Sequence, residues 1–506
     1  MMQDMWLDEN YMQTHTIIIV LWKYRLNLSK LRKPGNVRIF VVGPPRTLVD
    51  EHNVDVYFQV ESPIRDHDHL QLLQKVRELC SMYAASQRRL VAFERSLQKA
   101  VARIRKELSI EGFYPEQLEQ ILSVRDAIHN PRKNGLATLR QCSLSGSPQP
   151  EPWLEVVRSQ VGGFPVVVRS IRQHPPQGIL RTEREFRQWF RRNSTVHHCE
   201  EYVVQEFIDD GYEFTALCTA KLGLIACTAS VETHRTILEC IQNQLPYAVQ
   251  LFSVEQTRDL LPGVESFATQ VVKATFSKSY SGAIFIKGFY KDHNDIFFLG
   301  FSLEPESETV RTLLAMSRSM PWEIALIESH YEINDSMQNG HSASSPVHNC
   351  VVNFPTAEGV LIHQTSIPKR PTSEMRVAWR CAEGQEMTDS TSIDENVAQV
   401  DTDQCRGAAA SGERIKEHYR LGSAADNQSA TPRRDNGAYP SSRSLYLIVY
   451  LTNPDHDRLI EEAQDIMRNT DITIDRNVLL DRHSVCRRNV SRLNPRELIR
   501  SCTTTD

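Results

Sequence analysis

From Leu118 to Ile333 the chain alternates helical and strand signals without a long polar interruption, a pattern that obliges it to bury a continuous core. The strands expected there are Pro165–Arg169, Tyr202–Ile208, Phe214–Thr219, Ile225–Thr228, Ala283–Tyr290 and Ile296–Ser302. Ahead of them, Val37–Val42 (VRIFVV) is a short apolar, β-branched run closed by Gly43-Pro44-Pro45, as a buried strand ending in a tight turn would be. The two prolines remove backbone donors and no G-x-G-x-x-G follows, so this turn reads as scaffold and not as a dinucleotide site. Between about Leu70 and Leu108 apolar residues recur at helical spacing, as in Leu90, Phe93, Leu97, Val101 and Ile104. The opposite face carries Arg88, Arg89, Arg95, Lys99, Arg103 and Lys106, interrupted by Glu94 and Glu107, and reads as a solvated basic face.

Beyond Ile333 the pattern becomes uneven. Asn334–Ser344 reads as a linker, and Cys350–Ser366 and Met375–Cys381 return to strand-like alternation. Glu386–Arg443 is almost wholly polar and small. Its apolar surface is too small to offset an ordering cost of about 1–2 kcal/mol per residue, so it is expected to be disordered. A strand at Leu445–Leu451 and a helix from about Asp455 to Arg468 follow. At 506 residues the length suits about three folded units.

Charge and cysteine usage exclude several classes. The 58 basic and 63 acidic side chains nearly balance, which removes the electrostatic argument for a nucleic-acid partner. Eleven cysteines lie far apart with no C-x-x-C pair, so neither a disulfide framework nor a zinc module is indicated. The apolar run Ile17–Trp22 is too short for a membrane span of ~20 residues. Asp4, Asp8 and Glu9 make the leader acidic where a secretory signal would be basic. The expectation is a cytoplasmic protein without a membrane partner. His197-His198-Cys199 looks metal-like, but neighbouring residues of a strand or helix face different ways and do not converge on one ion.

Three segments carry a recognisable order: FPVVVRSIRQHPPQGI from Phe164, EEYVVQEFIDDGYEF from Glu200, and GAIFIKGFYKDHNDIFFLGFSLEPES from Gly282. Together they resemble an ATP-grasp domain, most nearly that of carboxylate-amine ligases of the carnosine synthase type. The resemblance runs from about Leu118 to Glu332, and FPTAEGVL from Phe354 with the last strand and helix is similar to the C-terminal part of the same ligases. It implies an α/β and α+β architecture: an N-terminal α/β domain at 1–117, the ATP-grasp domain at 118–333, a linker at 334–346, and a C-terminal α+β unit from 347–385 and 444–506 around a disordered insertion at 386–443. Such ligases use ATP and Mg²⁺ to turn a carboxylate into an acyl-phosphate that an amine attacks. Lysines and a glycine-rich loop hold the phosphates, and carboxylates hold the hard cation.

Carried over residue by residue, the resemblance implies that the hinge Gln205-Glu206-Phe207-Ile208, followed by Glu213, meets adenine and ribose. The phosphate side is altered. Arg169 and Ala127 stand where lysines are usual, and Gln173-His174-Pro175-Pro176-Gln177 replaces the glycines of the loop, leaving Gly178. The metal side is altered too: Lys287, Gly300 and Ser302 match the two acids and the Asn, and Glu304 matches a catalytic Arg. Arg169 keeps its charge, although its planar fork differs from an ammonium. A shifted register would offer Glu304 and Glu306 as a carboxylate pair on one face of an extended strand, with Pro305 between them.

Two functional readings follow. One is a ligase homologue with impaired or absent catalysis, retained to bind a nucleotide, an amino-acid-like small molecule or a partner; the other is an active, divergent ligase. In the first, ATP binds through Arg169, Gly178, Gln205–Ile208, Glu213 and Lys287 without a metal, and no catalytic or metal-binding residue is assigned. Mg²⁺ belongs to the second alone. The resemblance also leaves a homo-oligomer open.

Overall fold

The computed structural model describes residues 14–22, 24–43, 53–60, 69–83, 87–146, 149–171, 178–193, 201–219, 223–276, 282–305, 307–316, 321–331, 347–355, 359–364, 367, 373–379, 386–387, 445–470 and 472–475. The expected linker, most of the expected insertion, the proline loop at 172–177 and His197–Cys199 lie outside them.

Four parallel strands open the fold: β1 (His15–Val20), β2 (Val37–Gly43), β3 (Val56–Gln59) and β4 (Gln87–Ala92), in the order β3-β2-β1-β4. The run Ile17–Val20 is apolar at every position because β1 is central and covered on both faces. Ile18 and Val20 pack towards the helices His69–Met82 and Arg95–Glu107, whereas Ile17 and Ile19 pack towards the rest of the protein.

The stretch from about Leu70 to Leu108, read as helical throughout, is two helices with β4 between them. Leu90 and Ala92 join one core, while Val91 and Phe93 join the other, a period of two that the helical reading of Leu90 and Phe93 had concealed. Arg88 and Arg89 leave the expected basic helix face as a result. Arg88 donates to the Cys80 carbonyl at 3.0 Å, and Arg89 pairs with Glu111 at 2.6 Å.

A small antiparallel sheet follows, with β5 (Gln141–Leu144), β6 (Val166–Ser170), β7 (Gly178–Leu180) and β8 (Tyr202–Glu206) in the order β5-β8-β6-β7. One face of this lobe is its core: Val166, Val168, Tyr202 and Val204 pack under Trp153, Phe186 and Phe190 from the flanking helices.

The main body is one antiparallel sheet of eight strands. These are β9 (Tyr212–Thr219), β10 (Gly223–Ser230), β11 (Tyr247–Phe252), β12 (Ala283–Asp292), β13 (Asp295–Ser302), β14 (His348–Pro355), β16 (Glu374–Trp379) and β18 (Leu445–Asn453), ordered β13-β12-β9-β10-β11-β14-β18-β16. Strands from the C-terminal segment thus extend the central sheet. A fourth, small sheet pairs β15 (Gly359–Gln364) with β17 (Glu386–Met387) and β19 (Ile472–Asp475), so the first two residues of the expected insertion are extended and paired. The helix Pro115–Leu122 crosses the expected 117/118 boundary, and its Leu118 and Ile121 pack with the large sheet.

Both faces of the large sheet are buried. Phe214, Ala216, Ile284 and Ile286 meet the helix Val264–Thr275 and the segment around Phe113 and Ile128. Leu217, Ala283 and Phe285 point the other way and share a core with Ile17, Ile19 and Val41 of the parallel sheet. Trp322, on the helix Trp322–Glu328, joins the two sheets. It is 1% exposed, and its ring meets Phe93 at 5.4 Å, Phe285 at 5.6 Å and Tyr24 at 6.1 Å, each edge-on. Among the described residues no helix is long and apolar enough to cross a membrane.

Because Trp322 touches the parallel sheet and the large sheet together, Trp322→Ala should cost about 3–5 kcal/mol of stability. Denaturant unfolding measures this, and an unchanged midpoint would show that the sheets do not depend on the joint.

Candidate functional site

Alternation along β6 and β8 builds one wall of a cleft. With Val166, Val168 and Val204 buried in the small lobe, Val167, Arg169 and Gln205 are left on the opposite face, where Val167 stands across from Gln205. The other wall belongs to the large sheet, where Glu213 of β9 lies opposite Phe289 of β12. Leu139, Ile208, Phe289 and Leu299 form a small apolar cluster that lines the cleft. The cavity so enclosed is about 20 Å³, room for a water molecule but not for a nucleotide unless the lobes part.

Arg169, Gln205, Glu206, Phe207, Ile208 and Glu213, read from sequence as one binding set, all line this cleft. Their states differ. The Glu206 carboxylate accepts hydrogen bonds from the Arg140 backbone N–H at 2.7 Å and from its guanidinium at 2.6 Å. Glu213 accepts from the N–H of Ile237 at 3.2 Å, at the start of the helix Ile237–Asn243. Gln205 donates to the Gln141 side chain at 2.9 Å, while its own carbonyl oxygen is buried without a partner among the described residues.

Arg169 is the exceptional member. It is 9% exposed, and among the described residues its buried Nε meets no hydrogen-bond partner and its guanidinium forms no ion pair. An arginine cannot shed its charge to escape such a position, so the geometry is suited to an incoming anion.

Gly178 and Lys287 do not line the cleft. Gly178 sits opposite Val168 at the start of β7, beside the Gln242 amide, whose oxygen accepts from the Ile179 N–H at 3.0 Å. Lys287 lies on β12 between Thr215 and Gly300, half-buried, two residues along the same face from Phe289. Ala127 is on the other side of the sheet, packed with Ile121 and Phe301, because the segment that carries it covers the face bearing Phe214 and Ile286.

The residues present do not fit Mg²⁺. Lys287 brings a positive charge and Gly300 no ligand, and Ser302 donates its hydroxyl to the Glu304 carbonyl at 2.6 Å. Among the described residues no group of three His, Cys, Asp or Glu converges as a metal site. Glu304, half of the shifted carboxylate pair, accepts from the backbone N–H of Arg95 at 3.1 Å and so serves the start of the helix Arg95–Glu107; Glu306 lies outside the described residues.

No protein-family model matches this chain, and no curated protein matches it in sequence. Its fold is similar to that of an L-amino acid ligase from Bacillus licheniformis, with 10% identity and a TM-score of 0.53 over 92% of this chain and 99% of that one. The chain has the ATP-grasp fold. Two further solved structures align less closely. Phosphoribosylglycinamide synthetase from Anaerococcus prevotii has 13% identity and a TM-score of 0.49, over 91% of this chain and 100% of that one. N5-carboxyaminoimidazole ribonucleotide synthetase from Thermotoga maritima has 13% identity and a TM-score of 0.45, over 92% and 100%.

Sequence reasoning missed Leu139, Val167, Thr236, Leu238, Phe289 and Leu299 as cleft residues. For Val167 the signal was present, since it lies two residues from Arg169 on the same strand. The others come from elements that only the packing of the two lobes brings together.

Burial is the main influence on Glu304, raising its carboxyl above the ordinary carboxylate range. A carboxyl raised on folding stabilises most when protonated, and that contribution is lost as pH rises through the folded value. Glu304→Gln, which keeps an acceptor for the Arg95 N–H, should therefore flatten the fall in stability as pH rises from the usual carboxylate range. Denaturant midpoints of both proteins across that interval check it; parallel curves would contradict it.

Proposed function

We propose that this chain is a ligase homologue of the carboxylate-amine, carnosine synthase type that binds a nucleotide-like anion in its cleft without a metal and has lost efficient catalysis. The observation that carries this reading is Arg169: a guanidinium that is buried in a cleft and unpaired among the described residues. Leaving a charge so placed is costly, and a phosphate or carboxylate with matching geometry offsets the cost. The apolar cluster formed by Ile208, Phe289 and Leu299 suits a ring, and Glu206 and Glu213 stand beside it. Lys287 on the adjacent strand adds a second positive charge where such ligases hold a cation, so phosphates would be neutralised by side chains. The ancestral transfer lacks support on both the phosphate and the metal side. A single preorganised contact is often worth about 10²- to 10³-fold in rate, and Ala127, Gly300 and Ser302 each stand where one is expected. A cytoplasmic location belongs to the same proposal and agrees with six described cysteines that are all free thiols.

Calorimetric titration with ATP tests it. Binding is expected at sub-millimolar concentration, with an affinity that Mg²⁺ leaves unchanged. Arg169→Ala should weaken it by about 10- to 100-fold, the worth of a hydrogen bond to a charged group. Lys287→Glu should weaken metal-free binding as well. Absence of binding at millimolar ATP, or an Arg169→Ala variant that binds as well as the parent, refutes the proposed site. ADP release with an amino-acid mixture should stay at background; turnover near the ordinary enzyme median of ~10 s⁻¹ would refute the loss of catalysis.

A further inference from the structure

On the face of the large sheet away from the cleft lies a cavity of about 270 Å³, bounded by the segment from Glu111 to Asn130, the end of the helix Val264–Thr275, and Phe301 of β13. Nothing in the cleft's proposed role uses it. One wall is aromatic: Phe276 lies 5.4 Å from Phe113 and 5.5 Å from Phe301, ring centre to ring centre, and Ala127 completes it. Ile121 extends the apolar side, and Gln117, Gln120, Asn130 and Asp126 supply polar groups.

Charge selects among possible ligands. The lining includes two carboxylates, Glu111 and Asp126, and no Lys, Arg or His. Asp126 is ion-paired with Arg125, whose guanidinium lies outside the lining, donates to the two carboxylate oxygens at 2.9 and 3.3 Å and is the main reason that the carboxyl is held below its usual range; the Ser123 hydroxyl also donates to it at 2.8 Å. Glu111 is paired from outside the cavity by Arg89 at 2.6 Å. An anion entering here would meet two carboxylates without a lining cation, whereas a cation or a neutral hydrogen-bond donor would meet acceptors. Size sets an upper limit, because the cavity lies just below the ~300–1,000 Å³ of ordinary ligand pockets and admits one compact ring system.

The geometry points to a second binding site here, for a small aromatic amine whose ring lies among Phe113, Phe276 and Phe301 and whose ammonium faces Asp126. Aromatic edges and faces take the ring, and the carboxylate with the neighbouring amides takes the cation. The site is separate from the Arg169 cleft, since the two open on opposite faces of one sheet.

Tryptamine and indole-3-acetate, which share a ring and differ in charge, are suitable probes for calorimetric titration of the full chain. Tryptamine is expected to bind with a sub-millimolar Kd and indole-3-acetate at least tenfold more weakly. Asp126→Asn keeps the side-chain shape and should lower tryptamine affinity by at least fivefold. Ala127→Leu fills the cavity from its apolar wall and should abolish binding; if that variant is misfolded by its melting curve, Asp126→Asn and the probe pair decide alone. Arg169→Ala should leave tryptamine binding unchanged, which separates this site from the cleft. The inference is overturned if tryptamine fails to bind at millimolar concentration, if the anionic probe binds as well, if Asp126→Asn has no effect, or if Arg169→Ala abolishes tryptamine binding.

Discussion

The structure depends on one constraint: the eight-stranded antiparallel sheet has to be covered on both faces. Along β9 and β12, successive residues alternate between two cores, Phe214 and Ile286 on one side and Leu217 and Phe285 on the other. A sheet with two apolar faces cannot stand alone in water, so it recruits helices to one face and the parallel sheet with the helix of Trp322 to the other. The N-terminal strands are therefore part of a shared core, which is why Ile17 and Phe285 belong to one cluster.

The cleft is a consequence of where that cover stops. Past Phe285, the same face of β12 carries Lys287 and then Phe289, which meets Ile208 from the hinge of the small lobe. The small lobe is held down by Gln242, which accepts from the Ile179 N–H, by an ion pair between Arg181 and Glu239, and by the Arg181 guanidinium over Phe207 at 5.6 Å. The first two join β7 and the residue after it to the helix Ile237–Asn243, and the third ties that residue to the hinge. Within the cleft, polar groups divide into those already satisfied, such as Glu206 with Arg140, and those that meet no partner among the described residues, the Arg169 Nε and the Gln205 side-chain oxygen. Groups buried in that state are costly unless something satisfies them.

The same accounting explains the altered metal side. Ser302 and Glu304 form a local turn and support the helix Arg95–Glu107, so oxygen atoms that might have faced a cation are committed to backbone donors and acceptors. Lys287 and Gly300 stand opposite each other on β12 and β13, so this part of the two strands carries no facing pair of acids and none of the repulsion that such a pair creates without a cation between them.

Local pattern in the sequence determined the strands with clear alternation or dense β-branched runs. Ala283–Tyr290, Ile296–Ser302 and Val37–Val42 are found within a residue or two of where they were expected, because each carries its own burial pattern. Local pattern did not group Arg169 with the hinge residues Gln205–Ile208; that set came from the resemblance to ATP-grasp ligases, and the structure places them along one cleft. Tertiary structure alone decided the rest. Gln87–Ala92 is a strand because β1, far away in sequence, supplies its hydrogen-bonding partner; Leu90, Phe93 and Leu97 fit a helical spacing equally well until that neighbour is known. Leu139, Phe289 and Leu299 enter the cleft only once the lobes meet, and Ala127 turns to the opposite face of the sheet because Phe301 and Ile121 bury it there. Short-range periodicity fixes which side of an element is apolar, but which element covers that side is a contact between distant segments, and only the folded chain contains it.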